Sequence, residues 1–252
     1  MSFTLSAACG CNTGRIRKNN EDNFCFFGKY LEAENDGLKK PLCCEKKLKT
    51  RFCVAVFDGM GGENYGEDAA FAAAKEMKEA ENPLSEFFIS ERKYLDRLSQ
   101  RINKAVVASA KELGTSRMGS TMVALYFTTQ YVYVCNLGDS RAYRLRDKEF
   151  MQISKDHVCE RPGSSKKVPL SQHLGIDPED MIIEPYIAKG ELHSGDIYLL
   201  CSDGLTDMVS NVEITDILTA GKNEEACVNS LIHAALEHGG KDNITAIVCR
   251  IK

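Results

Sequence analysis

The chain has 252 residues, 43% of them apolar and 27% charged, which suits a globular fold with a sizeable core and excludes a disordered one. A formal net charge of −4 excludes the basic excess that non-specific nucleic-acid binding needs, and no apolar run approaches the ~20 residues of a membrane-spanning helix. Eleven cysteines without one C-x-x-C pair, behind an N-terminus lacking a secretory pattern, point to structural thiols in a reducing, cytoplasmic setting rather than to zinc or disulfides.

In chain order, residues 23–30 and 51–58 are short β-type runs, the second ending in a glycine-rich turn. The stretches 34–49 and 160–171 are charged, with Pro or Gly, and are expected as loops; neither is long enough to divide the chain, so one domain is expected. Helices are expected over 66–81 and 84–113, where Tyr94, Leu98, Ile102 and Val106 recur near a 3.6-residue period. Residues 120–127 and 131–137 form a hairpin pattern, as do 141–146 and 150–153. Strands at 182–188 and 196–202 follow. Ser210 and Glu213 have capping-box spacing for a helix ending near Gly221, a second helix covers 224–237, and 244–251 is the closing strand. Helices in two groups among hairpin-linked strands indicate an α+β fold with antiparallel sheet.

Four aspartates fall at the edges of apolar strands, beside Gly or Asn: Asp58, Asp139, Asp203 and Asp242. A single Asp-Gly after a strand is usually only a turn. Four carboxylates packed at the end of a core would repel one another and lose hydration, a cost that bound divalent cations remove. An all-oxygen set suits Mg²⁺ or Mn²⁺, with the Gly59 carbonyl as a further donor. Just before the first strand, Arg17 offers a bidentate grip on a phosphate, with Glu21 and Asp22 beside it to orient water.

Six motifs occur in order: Gly14-Arg15-Ile16-Arg17-Lys18-Asn19-Asn20-Glu21-Asp22, Val56-Phe57-Asp58-Gly59-Met60-Gly61-Gly62, Gly119-Ser120-Thr121, Asn136-Leu137-Gly138-Asp139-Ser140-Arg141-Ala142-Tyr143, Cys201-Ser202-Asp203-Gly204-Leu205-Thr206-Asp207 and Asp242-Asn243-Ile244-Thr245. With these the chain resembles the metal-dependent protein phosphatases, the PPM or type 2C serine/threonine family, in its compact bacterial form. The resemblance implies a four-layer α-β-β-α sandwich of two antiparallel sheets. It implies Asp58 bridging two Mn²⁺ or Mg²⁺ ions, with the Gly59 carbonyl on one and Asp203 and Asp242 on the other, and a third, weaker ion at Asp139 and Asp207. Arg17 is then expected on the substrate phosphate, with Glu21 and Asp22 in the water network.

The resemblance further implies hydrolysis of phosphoserine and phosphothreonine in proteins by a metal-bridging hydroxide, opposing a Ser/Thr kinase, with no cysteine nucleophile and as a monomer. Two other readings share these residues: a catalytically silent relative, and a phosphatase of small phosphate esters. The chain also departs from the pattern. Met60 stands where some members have a proton-donating His, leaving His157 or a metal-bound water as donor, and Gln172-His173-Leu174-Gly175 replaces an Arg-containing motif. Lys166 and Lys167 in the short flap are a candidate attraction for an acidic peptide.

Overall fold

The computed structural model describes residues 3–61, 65–80, 90–115, 117–159 and 168–252. Strands β1 (Thr4–Asn12), β2 (Asp22–Phe26), β3 (Leu42–Lys47) and β4 (Phe52–Gly61) lead into helices α1 (Gly66–Ala80) and α2 (Glu91–Glu112). Then come β5 (Met118–Ser120), β6 (Met122–Phe127), β7 (Tyr131–Leu137), β8 (Arg141–Arg146), β9 (Glu149–Gln152), β10 (Tyr186–Glu191) and β11 (Ile197–Cys201). A short α3 (Asp203–Thr206), α4 (Asn211–Ala220), α5 (Glu224–Glu237) and β12 (Ile244–Ile251) complete the chain.

One sheet runs β3-β1-β12-β11-β8-β9 and the other β10-β7-β6-β4-β2, with β5 paired to β4; every pairing is antiparallel. The sheets pack face to face. Strand alternation sorts the core into three layers. Val54 and Val56 of β4 meet Ile247 and Cys249 of β12 between the sheets. Cys53, Ala55 and Phe57 turn the other way, under α1 and α2. Ala246 and Val248 face α4 and α5. Strands covered on both faces are apolar throughout rather than alternating. The expected four-layer sandwich is the architecture found.

Several boundaries differ from expectation. The loop expected over 34–49 contains β3, an edge strand whose Glu45, Lys46 and Lys47 mask its β character; charged edges of this kind discourage pairing with other chains. β1 has no strong β signal, since its Ala, Cys and Gly residues pack by smallness, yet it sits between β3 and β12. The first run stops at Phe26, because Phe27 and Gly28 take positive φ in a turn. The strand expected at 182–188 lies later, at β10. Helix α2 starts at Glu91, with Ser90 Oγ accepting from the Lys93 amide; residues 84–89 of the expected helix lie outside the described residues. Ser210 does cap α4, accepting from the Glu213 amide. No described helix is long and apolar enough to cross a membrane.

Candidate active site

The strand-end aspartates gather at one end of the sandwich. Asp22 and Asp58 are direct cross-strand partners on β2 and β4. Asp22 is 2% exposed, and its Oδ2 accepts from Ser202 Oγ at 2.7 Å, so a carboxylate of one sheet is held by the residue before Asp203 in the other. Ser202 Oγ in turn accepts from the Thr245 amide at 3.0 Å, tying α3 to the start of β12. Burial, opposed by hydrogen bonds from Ser202 and Thr245 and reinforced by Asp203 and Asp242, pushes the Asp22 carboxyl up to about 7.

Asn243 clasps the loop that carries Arg17. Its Oδ1 accepts from the Glu21 amide at 2.8 Å, and its Nδ2 donates to the carbonyls of Thr13 and Asn19 at 2.8 and 2.9 Å. This brings Arg17 to Asp242, with its guanidinium donating to Oδ2 at 2.7 Å, while Oδ1 accepts from the Asn243 amide. Burial acts against the Arg17 charge, but Asp242, then Glu21 and Asp58, outweigh it and raise its pKa. The Glu21 carboxyl is raised by burial first, then by Glu67 and Asp242, with Arg17 opposing. These mutual effects place Arg17, Glu21, Asp22, Asp58, Asp203 and Asp242 within electrostatic reach of one another.

Two glycines make the approach possible. A methyl group built on Gly59 would collide with the Gly66 carbonyl at the start of α1, and one built on Gly204 with the Asn243 carbonyl. On the other flank, the Asp58 amide donates to Thr121 Oγ1 at 3.1 Å, and its carbonyl accepts from the Thr121 amide at 2.8 Å. Thr121 Oγ1 lies 2.6 Å from Ser140 Oγ, which seats the Asp139 turn beside Asp58. Asp203 is 6% exposed, and the Asp207 amide closes the α3 turn on its carbonyl. Asp207 itself is exposed.

Among the described residues, no three Asp, Glu, His or Cys side chains form a ready metal cage. Asp203 and Asp242 act on the Asp22 carboxyl, and Glu67 and Asp242 on that of Glu21, an excess of negative charge that suits a hard divalent cation completing its shell with backbone oxygen and water. Ser202, Thr121 and Ser140 were not singled out from sequence, although Ser202 precedes Asp203 and Thr121 lies in the Gly-Ser-Thr motif. His157 lies against the Asp139 turn, its amide donating to the Gly138 carbonyl at 3.0 Å. Burial first, then Lys155, lowers the His157 pKa against the pull of Asp156. Lys166 and Lys167 fall outside the described residues.

Three cysteines have an arginine six positions on, the spacing of cysteine-based phosphatases: Cys9 with Arg15, Cys11 with Arg17 and Cys135 with Arg141. All three are at most 1% exposed. Burial raises each thiol, Cys11 and Cys135 to about 12, so none supplies a thiolate near neutral pH.

A family model for protein phosphatase 2C matches residues 42–233. The chain belongs to this family. The serine/threonine phosphatase Stp of Listeria innocua is 32% identical over 254 residues, covering 93% of this chain and 91% of the relative. The crystal structure of the Mycobacterium tuberculosis serine/threonine phosphatase PstP superposes with a TM-score of 0.78 at 28% identity, covering 98% of both chains. A structure of the PstP catalytic domain in complex with two manganese ions gives 0.75 at 28% identity, over 99% of both. The aspartate-lined end of the sandwich is therefore the candidate active site of a phosphatase.

Proposed function

We propose that the chain, acting over 1–252 as one catalytic domain, hydrolyses phosphoserine and phosphothreonine in proteins and opposes a Ser/Thr kinase. The observation that carries the reading is the convergence of Asp22, Asp58, Asp203 and Asp242 with Arg17 at one end of the sandwich, in a fold shared with PstP. Asp58 would bridge two divalent ions, Mn²⁺ or Mg²⁺, with the Gly59 carbonyl on one and Asp203 and Asp242 on the other; Asp139 and Asp207 would hold a third more weakly. Ions held this way supply a hydroxide near neutral pH and offset charge on the phosphoryl oxygens.

The chain's own residues do the positioning. Asp242 is shared between Arg17 and the Asn243 amide. When this carboxylate turns to a cation, Arg17 is released to grip two phosphoryl oxygens. Glu21 and the buried Asp22 are placed to accept hydrogen bonds from water at the reacting centre, with Ser202 fixing the Asp22 orientation. Strand-end placement keeps these groups on rigid elements, which limits the reorganisation needed in the transition state. All eleven cysteines are free, as a reducing cytoplasmic compartment allows, and a monomer suffices because every proposed site residue lies on one chain.

The test is turnover of a phosphoserine peptide with Mn²⁺ before and after EDTA. Turnover should vanish on chelation and return with excess Mn²⁺; activity that survives EDTA overturns the mechanism. Asp203→Asn should be inactive with an unchanged circular dichroism spectrum.

A further inference from the structure

Expelling a seryl or threonyl oxygen from phosphorus leaves an alkoxide, a strong base that departs readily only if it is protonated as the bond breaks. Of the groups described above, Asp58, Asp203 and Asp242 are needed ionised to hold cations, Asp22 is buried with its Oδ2 engaged by Ser202, and a guanidinium does not release its proton. The residue after Asp58-Gly59 is Met60, which has no proton to give.

A histidine nevertheless stands beside Met60. A methyl group built on Gly119 would lie 3.3 Å from Met60 Cε, 3.0 Å from His173 Nδ1 and 2.8 Å from the Leu174 carbonyl. Met60 and Gly119 are direct partners across β4 and β5, so the space above Gly119 is on the Met60 face. Strand alternation puts Asp58 on that same face, two residues back. The imidazole and the Met60 side chain therefore crowd one point on the face that carries Asp58. His173 Nδ1 is 2.8 Å from the Leu174 carbonyl. A carbonyl only accepts, so Nδ1 carries a hydrogen and Nε2 is the nitrogen that exchanges a proton.

The strap holding this ring is anchored on both sides. Leu174 exchanges both backbone hydrogen bonds with Ser120, at 3.1 and 2.8 Å. Ser120 Oγ donates to the Asp58 carbonyl. Behind the strap, Asn103 of α2 is 1% exposed; it accepts from the Gly175 amide at 2.7 Å and donates to the Ile176 carbonyl at 2.8 Å. An imidazole on a strap fixed to β5, the strand paired with the end of β4 beyond Asp58, moves with the reacting centre.

We propose that His173 is a catalytic residue, its protonated imidazole giving the Nε2 proton to the departing seryl or threonyl oxygen. This rests on the dephosphorylation reading above. A water oxygen forms the new bond to phosphorus as the P–O bond to the side chain breaks; Nε2 protonates the side-chain oxygen, and the proton shed by the attacking water restores the imidazolium. The products are the free hydroxyl and inorganic phosphate.

The test compares His173→Asn with the native enzyme, each with Mn²⁺, on a phosphoserine peptide, phenyl phosphate and p-nitrophenyl phosphate. Asparagine can place its amide nitrogen where Nδ1 was, so the bond to Leu174 is kept while the acid is lost; His173→Ala removes both. With His173→Asn, kcat on the peptide should fall about 100-fold, the usual scale for a positioned acid. On p-nitrophenyl phosphate, whose leaving group needs no proton, it should change less than about twofold, and phenyl phosphate should fall between. Equal losses on all three substrates, or none on any, overturn the proposal. A native enzyme that turns over both aryl esters but not the peptide overturns the protein-substrate reading instead, and the contrast between the two aryl esters then decides the role of His173.

Discussion

Replacing Asn103 with leucine, which keeps the number and branching of the side-chain heavy atoms, should destabilise the protein by about 2–4 kcal/mol. Asn103 is 1% exposed, accepts from the Gly175 amide and donates to the Ile176 carbonyl, so the variant leaves both backbone groups unpaired beside α2. Each such hydrogen bond contributes about 1 kcal/mol net, and an orphaned buried partner costs about 1–3 kcal/mol. Some relief comes from water reaching the partly exposed strap, which sets the total below the simple sum. For a chain of this size each kcal/mol lowers Tm by roughly 2–4 °C, so a fall of roughly 5–15 °C is expected. Thermal melts followed by circular dichroism read the total, and amide hydrogen exchange at Gly175 reads the cause: that amide should exchange much faster in the variant while amides of β12 keep their protection. A Tm within about 2 °C of the native value, with the Gly175 amide still protected, would refute the anchoring argument.

Arg146 grips Asp196 with Nε and a terminal nitrogen at 2.6 and 2.7 Å, and the Tyr198 hydroxyl and His193 amide add two more donors. Burial would raise the Asp196 carboxyl, but these donors outweigh it and hold it below the usual aspartate range. A depressed folded pKa gives stability that is present above the unfolded value and lost as pH falls through the folded one. Asp196→Asn should therefore cost ~2–4 kcal/mol in urea melts near pH 7, with the gap to the native protein shrinking below about pH 4; a pH-independent gap counts against the ion pair. Gly204→Ala drives a methyl into the Asn243 carbonyl and should cut Mn²⁺-dependent turnover at least 10-fold, an effect of only ~1.4 kcal/mol on the barrier; full activity shows that the approach of α3 to β12 is not required. Arg17→Ala should raise KM for a phosphopeptide more than it lowers kcat while leaving Mn²⁺-induced thermal stabilisation intact; loss of that stabilisation assigns Arg17 to the metal site instead.

The sequence alone determined much of this protein because its strongest signals are local. Asp58-Gly59 and Asp203-Gly204 mark strand ends by turn chemistry, and the Ser210 cap and the hairpin at 120–137 depend on residues a few positions apart. Ordered motifs fixed the family and hence the sandwich. Where local signals are weak the reading fell short. β1 is built of small residues and β3 of charged ones, and both are strands only because β12 and β1 offer them partners.

Tertiary structure decided how the separate motifs act on one another. Asp22 reaches Ser202, 180 positions away in the other sheet, and Asn243 ties the start of β12 to the Arg17 loop. The cysteines of the cysteine–arginine spacings that look reactive on paper lie in the dry core, where a thiol stays protonated. His173 stands beside Met60 only because an antiparallel bridge folds the strap onto β5. Such juxtapositions join residues far apart in the chain, so they depend on the packing of whole layers rather than on any stretch of sequence.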